Sequence, residues 1–386
     1  MKKILFLSNT ANFSKFNLPY MRWFHEQGWR VDYCSAGEEF IKDCDNQYTI
    51  DIARSPFSLK NVKALRQLKK LLAENRYDIL HCHTPMGGVL GRLAAKKLRQ
   101  EHKIKIIYTA HGFHFYRGAP LLNWLFYYPV EKHLAKYTDV LVTINKEDYD
   151  RAVDKFSKIT RVEYMDGVGV DLTKFTSVSA IELNTIRRQL GYSPKDFIVT
   201  IVAECNRNKN QLFLIKRIPE LVQKIPYLKV LIIGKETLPF ARKLVDKMTL
   251  QRVCRFLGYR NDVELFEKMS NICFSSSIRE GLPVNIIEAM ACGKVCVCSK
   301  NRGHNSLITD NFNGLLFDLK KPSEMINKIL QVYNEPVFGE KIATNAFRAV
   351  KKYDLDIAVK KMAGIYTSLF TEIKFCPKAV IMLEDS

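Results

Sequence analysis

The sequence predicts an α/β protein of two doubly wound, Rossmann-like domains facing a central cleft, and three observations carry that expectation. At 386 residues and 47% hydrophobic content, the chain is too long for one ordinary core and has apolar material for two. Short apolar runs alternate with longer amphipathic segments, the pattern of a parallel sheet covered on both faces by helices. That rhythm pauses after residue 165 and restarts at 197, so the second half repeats the architecture of the first.

In the first half, strands are expected over residues 4–8, 31–34, 79–83, 104–109, 140–144 and 162–165; in the second, over 197–203, 230–233, 255–257, 272–276, 295–299 and 315–317. Between the halves lie Asp166-Gly167-Val168-Gly169-Val170-Asp171, a polar helix-like stretch around 181–190, and the turn signal Gly191-Tyr192-Ser193-Pro194. A linker is therefore placed near 168–194. The expected domains are 1–170 and 171–354, with a C-terminal helix at about 355–374 packing back on the first. The tail from Phe375 carries no structural reading. Ligands of open α/β sheets bind outside the carboxyl ends of the strands, so function belongs to the strand-to-helix loops.

Composition narrows the classes. No run of eighteen apolar residues is present, and Met1-Lys2-Lys3-Ile4-Leu5-Phe6-Leu7-Ser8-Asn9 is too short in its apolar part for a signal peptide, so a cytosolic protein is expected. Ten cysteines form no CxxC pair and several sit in strand-like runs, as reduced core residues do. The net charge of +20 favours an anionic partner, either nucleic acid, anionic lipid headgroups or a phosphorylated substrate. Nucleic acid is disfavoured because no helix-turn-helix, zinc-finger or RNP-like pattern accompanies the charge.

The segment Ser275-Ser276-Ser277-Ile278-Arg279-Glu280-Gly281-Leu282-Pro283-Val284-Asn285-Ile286-Ile287-Glu288-Ala289-Met290-Ala291-Cys292-Gly293 reads as strand, loop, helix and glycine stop. Gly281 permits close backbone approach, Pro283 stiffens the helix entry, and the first amides near Val284 and Asn285 point where a diphosphate could sit. Glu280 falls on the loop and Glu288 about one turn into the helix, both toward the cleft. Taken alone, Glu288 could simply complement the helix N-terminus and Glu280 be a solvated carboxylate.

This segment resembles the paired-glutamate signature of retaining GT-B glycosyltransferases of family 4, which reads E-G-[FL]-P-x4-E-A-x-A-x-G. The resemblance extends over nearly the whole chain, through Lys3-Ile4-Leu5-Phe6-Leu7, Leu231-Ile232-Ile233-Gly234, the stretch from Phe256 to Val263, and Gly314-Leu315-Leu316-Phe317. It implies the GT-B fold and a nucleotide-sugar site at Glu280, Gly281, Leu282, Pro283, Val284, Asn285 and Glu288. Glu288 is then the ribose ligand and Glu280 the neighbour of the donor sugar. It implies further that basic residues in Ala203-Glu204-Cys205-Asn206-Arg207-Asn208-Lys209-Asn210-Gln211 face the donor diphosphate. Lys209 matches the family lysine, whereas Glu204 stands where arginine is common, as in a capsule- and exopolysaccharide-like subset, which opens the question of whether Arg207 contacts phosphate. Without the resemblance, the same loop reads as a solvated basic turn opening a helix.

In Tyr108-Thr109-Ala110-His111-Gly112-Phe113 a strand ends in a histidine and a glycine, which places His111 at the carboxyl edge of the sheet. The resemblance puts that histidine beside the reacting sugar. The His81-Cys82-His83 run invites a zinc reading, but H-x-H on a strand supplies at most two ligands and no metal is expected. The aspartate pairs Asp43/Asp45, Asp148/Asp150 and Asp354/Asp356 are not taken as metal sites, and Asn145-Lys146-Glu147-Asp148 reads as a capped helix start with first-turn acids. Residues 113–137 are rich in aromatics and flanked by Arg117, Lys132 and Lys136. They suit either a membrane interface or a helix core.

The implied activity is transfer of a sugar, with retention, from a nucleotide-diphosphate donor. UDP-sugars and a polyprenyl-diphosphate-linked saccharide acceptor are favoured, with no cofactor beyond the donor itself. The expected location is the cytosol at the anionic inner face of the cell membrane. The rivals are a nucleotide-sugar epimerase of the same architecture and a non-catalytic scaffold. A dinucleotide-dependent oxidoreductase lacks its GxGxxG after the first strand.

Overall fold

The computed structural model describes residues 1–116 and 118–370. Arg117, the end of the expected C-terminal helix and the tail from Phe375 lie outside the described residues. The strands are β1 (Lys3–Leu7), β2 (Arg30–Ser35), β3 (Asn46–Thr49), β4 (Ile79–His83), β5 (Lys105–Ala110), β6 (Val140–Thr143), β7 (Arg161–Tyr164), β8 (Phe197–Val202), β9 (Leu228–Ile233), β10 (Cys254–Gly258), β11 (Ile272–Ser275), β12 (Val295–Ser299) and β13 (Leu315–Phe317). All twelve expected strands are present. The addition is β3, whose Asn-Gln-Tyr-Thr sequence has no apolar run because it is a half-exposed sheet edge.

The chain divides into two compact units: Met1–Thr109 with His133–Leu141 and the segment from Ala358, and Ala110–Lys132 with Val142–Ile357. The first sheet runs in the order β3-β2-β1-β4-β5-β6-β7, with β1 parallel to both β2 and β4. Its central strands are buried on both faces, with Ile4, Leu5, Phe6 and Leu7 of β1 wholly inaccessible. That explains why they read as continuous rather than alternating apolar runs. In the same unit Tyr366, on the helix Leu355–Ser368, meets His81 Nδ1 at 2.7 Å.

The second sheet runs β10-β9-β8-β11-β12-β13, the Rossmann order 3-2-1-4-5-6. Successive side chains of β8 and β9 enter opposite layers. Val199, Ile201, Val230 and Ile232 join Leu214, Ile218 and Ile329 on one side, while Ile198, Leu231 and Ile233 join Ile186, Tyr192, Phe266 and Met269 on the other.

Ile186 lies in the helix Ala180–Gln189, so much of the segment expected to be a linker is core of the second unit. Arg187 fixes it there, donating to the Met269 and Asp196 carbonyls and to Asn271 Oδ1. Polar residues on the exposed side of this helix gave it the look of a linker.

The order reverses at β8, which pairs with β9 on one side and β11 on the other. The carboxyl ends of β8 and β11 thus flank the switch point, the usual ligand position of such sheets.

Candidate active site

The loop after β8 supplies Lys209. Asn206 shapes the turn: its Oδ1 accepts the Lys209 amide at 2.9 Å and its carbonyl accepts the Asn210 amide at 3.0 Å. Asn210 adopts φ +55°, a left-handed conformation in which asparagine is among the better tolerated residues. The loop after β11 is laced to this turn, since Ile278 donates its amide to the Asn208 carbonyl and Asn208 Nδ2 donates to the Arg279 carbonyl. Across the seam, Lys209 Nζ donates to Glu280 Oε1 at 2.6 Å. The structure thus joins two predicted residues 71 positions apart.

Pro283 caps the helix Val284–Ala291 without any side-chain hydrogen bond to the helix amides. The first amides of an α-helix have no intrahelical acceptor, so this end presents donors and the positive end of the helix dipole. The Asn285 side chain turns back, its Nδ2 donating to the Val202 carbonyl at 3.0 Å, and so pins the helix start to the end of β8. Gly281 and Leu282 are half-buried in the approach to the helix, and Glu288 lies in its second turn. Burial first, and then the nearby charge of Glu288, hold the carboxyl of Glu267 well above the usual range. Arg207 is exposed. Glu204 accepts from Thr237 Oγ1 at 2.9 Å.

His111 begins the loop after β5, in the same unit as Glu280. A side chain at Gly281 would bring its Cβ within 2.9 Å of the His111 carbonyl oxygen, so glycine is required where these two loops touch. Burial pushes the His111 imidazole down to about 4, and it is neutral at neutral pH.

Three residues of this region escaped the sequence reading. Asn145 does cap its helix, accepting the Asp148 amide at 2.9 Å. Asp148, however, is a fully buried carboxylate that accepts from Arg302 Nη1 at 2.9 Å. The Asn-x-x-Asp spacing signals the cap alone, and nothing local points to a partner 154 residues away. His304 is the third. Its Nδ1 stands 2.6 Å from the Ser299 carbonyl and 2.8 Å from Asn301 Nδ2. Its buried Nε2 has no hydrogen-bond partner among the described residues. Burial pushes this imidazole too down to about 4.

His81 spans Tyr366 and Thr109 Oγ1 as a core histidine, and no group of three metal-capable side chains occurs among the described residues. The nine described cysteines are free thiols, Cys44 alone being less than buried.

The aromatic segment forms the helix Leu121–Ala135 and has two faces. Trp124 and Tyr128 pack on Phe115, and Tyr128 also on Phe156. Leu121, Leu122, Leu125 and Phe126 are 80, 63, 68 and 60% exposed. No described helix is long and apolar enough to cross a membrane.

Two parallel α/β sheets, the second carrying a lysine–glutamate pair and an uncapped helix start at its switch point, define a Rossmann-type protein. Comparison with known proteins refines this. The model of glycosyl transferases group 1 matches residues 183–349 and that of glycosyl transferase 4-like proteins matches residues 3–145. The Bacillus subtilis (strain 168) protein EpsD, a glycosyltransferase by name, is 39% identical over 369 residues, 95% of this chain and 97% of its own.

An Escherichia coli UDP-Gal:alpha-D-GlcNAc-diphosphoundecaprenol alpha-1,3-galactosyltransferase is 29% identical over 335 residues, covering 80% of this chain and 83% of its own. The crystal structure of Anabaena HepE in complex with UDP and glucose superposes with a TM-score of 0.76 at 20% identity, over 95% of this chain and all of that one. The chain belongs to the group 1 glycosyltransferases of GT-B fold and is a glycosyltransferase.

Proposed function

We propose that the chain moves a sugar, with retention, from a UDP-linked donor to a polyprenyl-diphosphate-linked saccharide in exopolysaccharide or capsule assembly. The observation that carries this reading is the Lys209–Glu280 contact beside the uncapped start of the helix Val284–Ala291. A diphosphate placed there meets an ammonium, helix amides and the helix dipole together, the means by which charge on a departing nucleotide is offset. In this reading the amides following Gly281, Leu282 and Pro283, at Val284 and Asn285, take the phosphates with Lys209. Arg207 reaches them from the exposed rim, Glu288 takes the ribose hydroxyls, and Glu280 lies beside the sugar. Neutral His111 hydrogen-bonds a sugar hydroxyl.

In same-face substitution the bond from the anomeric carbon to the phosphate oxygen breaks, the acceptor oxygen attacks from that face, and its proton passes to the departing phosphate. No resident metal is needed where Lys209 and the helix start supply the counter-charge.

The choice of UDP and of a lipid-linked acceptor is supported by the name of the Escherichia coli relative, which specifies both. Attachment to an anionic membrane surface is supported by the +20 charge and by the apolar face of the helix Leu121–Ala135. The test is titration of the protein with UDP, GDP and ADP, in wild type, Glu288→Ala and Lys209→Ala. Saturable binding of UDP alone, weakened by both substitutions, is expected. Binding of no nucleotide would favour a non-catalytic scaffold, and full activity in a metal chelator is the matching expectation for the metal-free step.

A further inference from the structure

The loop that carries His111 is held by a buried ion pair. Asp148 Oδ2 accepts the Phe113 backbone amide at 3.0 Å and Asn145 Nδ2 at 2.8 Å. Its Oδ1 accepts Arg302 Nη1 at 2.9 Å. A wholly buried carboxylate persists as an anion only where such partners surround it, and here one of those partners is the backbone two residues after His111.

Arg302 grips the same loop from outside. Its guanidinium lies over the Tyr116 ring, 5.3 Å from the centroid, and a Cβ at Gly112 would come within 2.9 Å of its Nη2. The next residue, Gly303, is pressed on Glu280: a Cβ there would sit 2.5 Å from Glu280 Cβ and 2.7 Å from the Gly281 carbonyl. Two consecutive residues, Arg302 and Gly303, thus touch the His111 loop and the Glu280 loop.

We propose that Asp148 and Arg302 are positioning residues, whose ion pair sets the His111 loop against the Glu280–Gly281 turn and so fixes where the imidazole meets the donor sugar. The inference rests on the reading of His111 given above. A pair serving only the fold would have no reason to sit where the loops after β5 and β12 and the helix after β6 converge, since these are the carboxyl edges at which such sheets bind ligands.

The variants are Arg302→Gln, Arg302→Lys and Asp148→Asn, each made with and without His111→Ala. UDP affinity is read by calorimetry, and turnover as UDP released from UDP-galactose and UDP-glucose in the presence of membrane extract. A loosened loop lowers kcat by about 100-fold, with UDP affinity changed by less than about threefold and Arg302→Lys recovering part of the loss. In the His111→Ala background, Arg302→Gln costs less than about threefold further, because both act through one imidazole. Equal losses in the two backgrounds, or UDP affinity falling in step with turnover, would overturn the proposal.

Hydrogen exchange keeps the loop separate from the donor reading. The Phe113 amide exchanges about tenfold faster in Arg302→Gln and Asp148→Asn than in wild type, and unchanged exchange sinks the proposal even in a protein that binds UDP. If wild type binds no nucleotide, the donor reading fails and the exchange result alone decides the tie.

Discussion

Replacing Glu280 by glutamine and Lys209 by alanine should move nucleotide affinity in opposite directions. The two side chains meet at 2.6 Å and are 12 and 24% exposed, so the contact is largely shielded from water and salt. A hydrogen bond to a charged group is worth about 1.5–3 kcal/mol. If Lys209 transfers that bond to a donor diphosphate, Lys209→Ala weakens UDP by about 10- to 150-fold. It also flattens the salt dependence of binding by removing one cation from the contact.

Glutamine at 280 keeps the shape but removes the anion competing for the ammonium. UDP then binds as tightly as before, or up to about fivefold tighter, a gain of roughly 1 kcal/mol. On the proposed reading, in which the Glu280 carboxylate lies beside the donor sugar, turnover falls nonetheless. Calorimetric titration with UDP at two salt concentrations, paired with initial rates, reads both effects. If Glu280→Gln weakens UDP tenfold or more, Glu280 holds Lys209 in its working position and does not compete for it, and the reasoning is wrong.

His304 makes stability depend on pH. Unfolded, a histidine titrates near 6.5; folded, this one titrates at about 4. Protons bind preferentially to the unfolded chain between those values, so its contribution is intact above 6.5 and falls by about 3 kcal/mol as pH drops toward 4. Urea midpoints measured from pH 4 to 8 should slope less in His304→Gln, and equal slopes would refute this. Gly303→Ala drives a Cβ to 2.5 Å from Glu280 Cβ and should cost about 1–3 kcal/mol of stability as overpacking, along with UDP affinity, read from the same urea and calorimetric experiments. The paired change Leu125→Ser and Phe126→Ser removes two exposed apolar side chains from the helix Leu121–Ala135. It should cut cosedimentation with anionic vesicles by an amount on the order of 3 kcal/mol, while leaving UDP affinity unchanged.

What was legible in the sequence was whatever repeats locally. Apolar runs such as Val-Cys-Val-Cys-Ser in β12 are buried throughout, and a strand covered on both faces has to read that way. The Glu280–Glu288 segment was legible because its strand end, glycine, proline and helix follow one another within twenty residues. The edge strand β3 was not, since half-exposed Asn-Gln-Tyr-Thr has no apolar signal to give. Nor was the place of residues 180–194, where buried Ile186, Arg187 and Tyr192 are interleaved with polar positions. For the aromatic segment the sequence left a helix core and a membrane interface open, and the helix has an inward side with Trp124 and Tyr128 and an exposed side with Leu125 and Phe126.

The case of Asp148 shows why the site as a whole lies beyond pattern reading. The Asn145 cap is a local event and follows from three residues of sequence. The same aspartate then meets Phe113, 35 residues back, and Arg302, 154 residues ahead. Those partners are neighbours because the loop after β5, the helix after β6 and the helix after β12 meet at the carboxyl edge of their strands, the first two leaving one sheet and the third the other. A sequence can announce that edge by the rhythm of its strands, and can announce each loop by its glycines and its cap. Which charges face each other depends on which loops the fold brings together, and here they leave two different sheets. Residues such as Asp148 and Arg302 therefore become visible only with the fold.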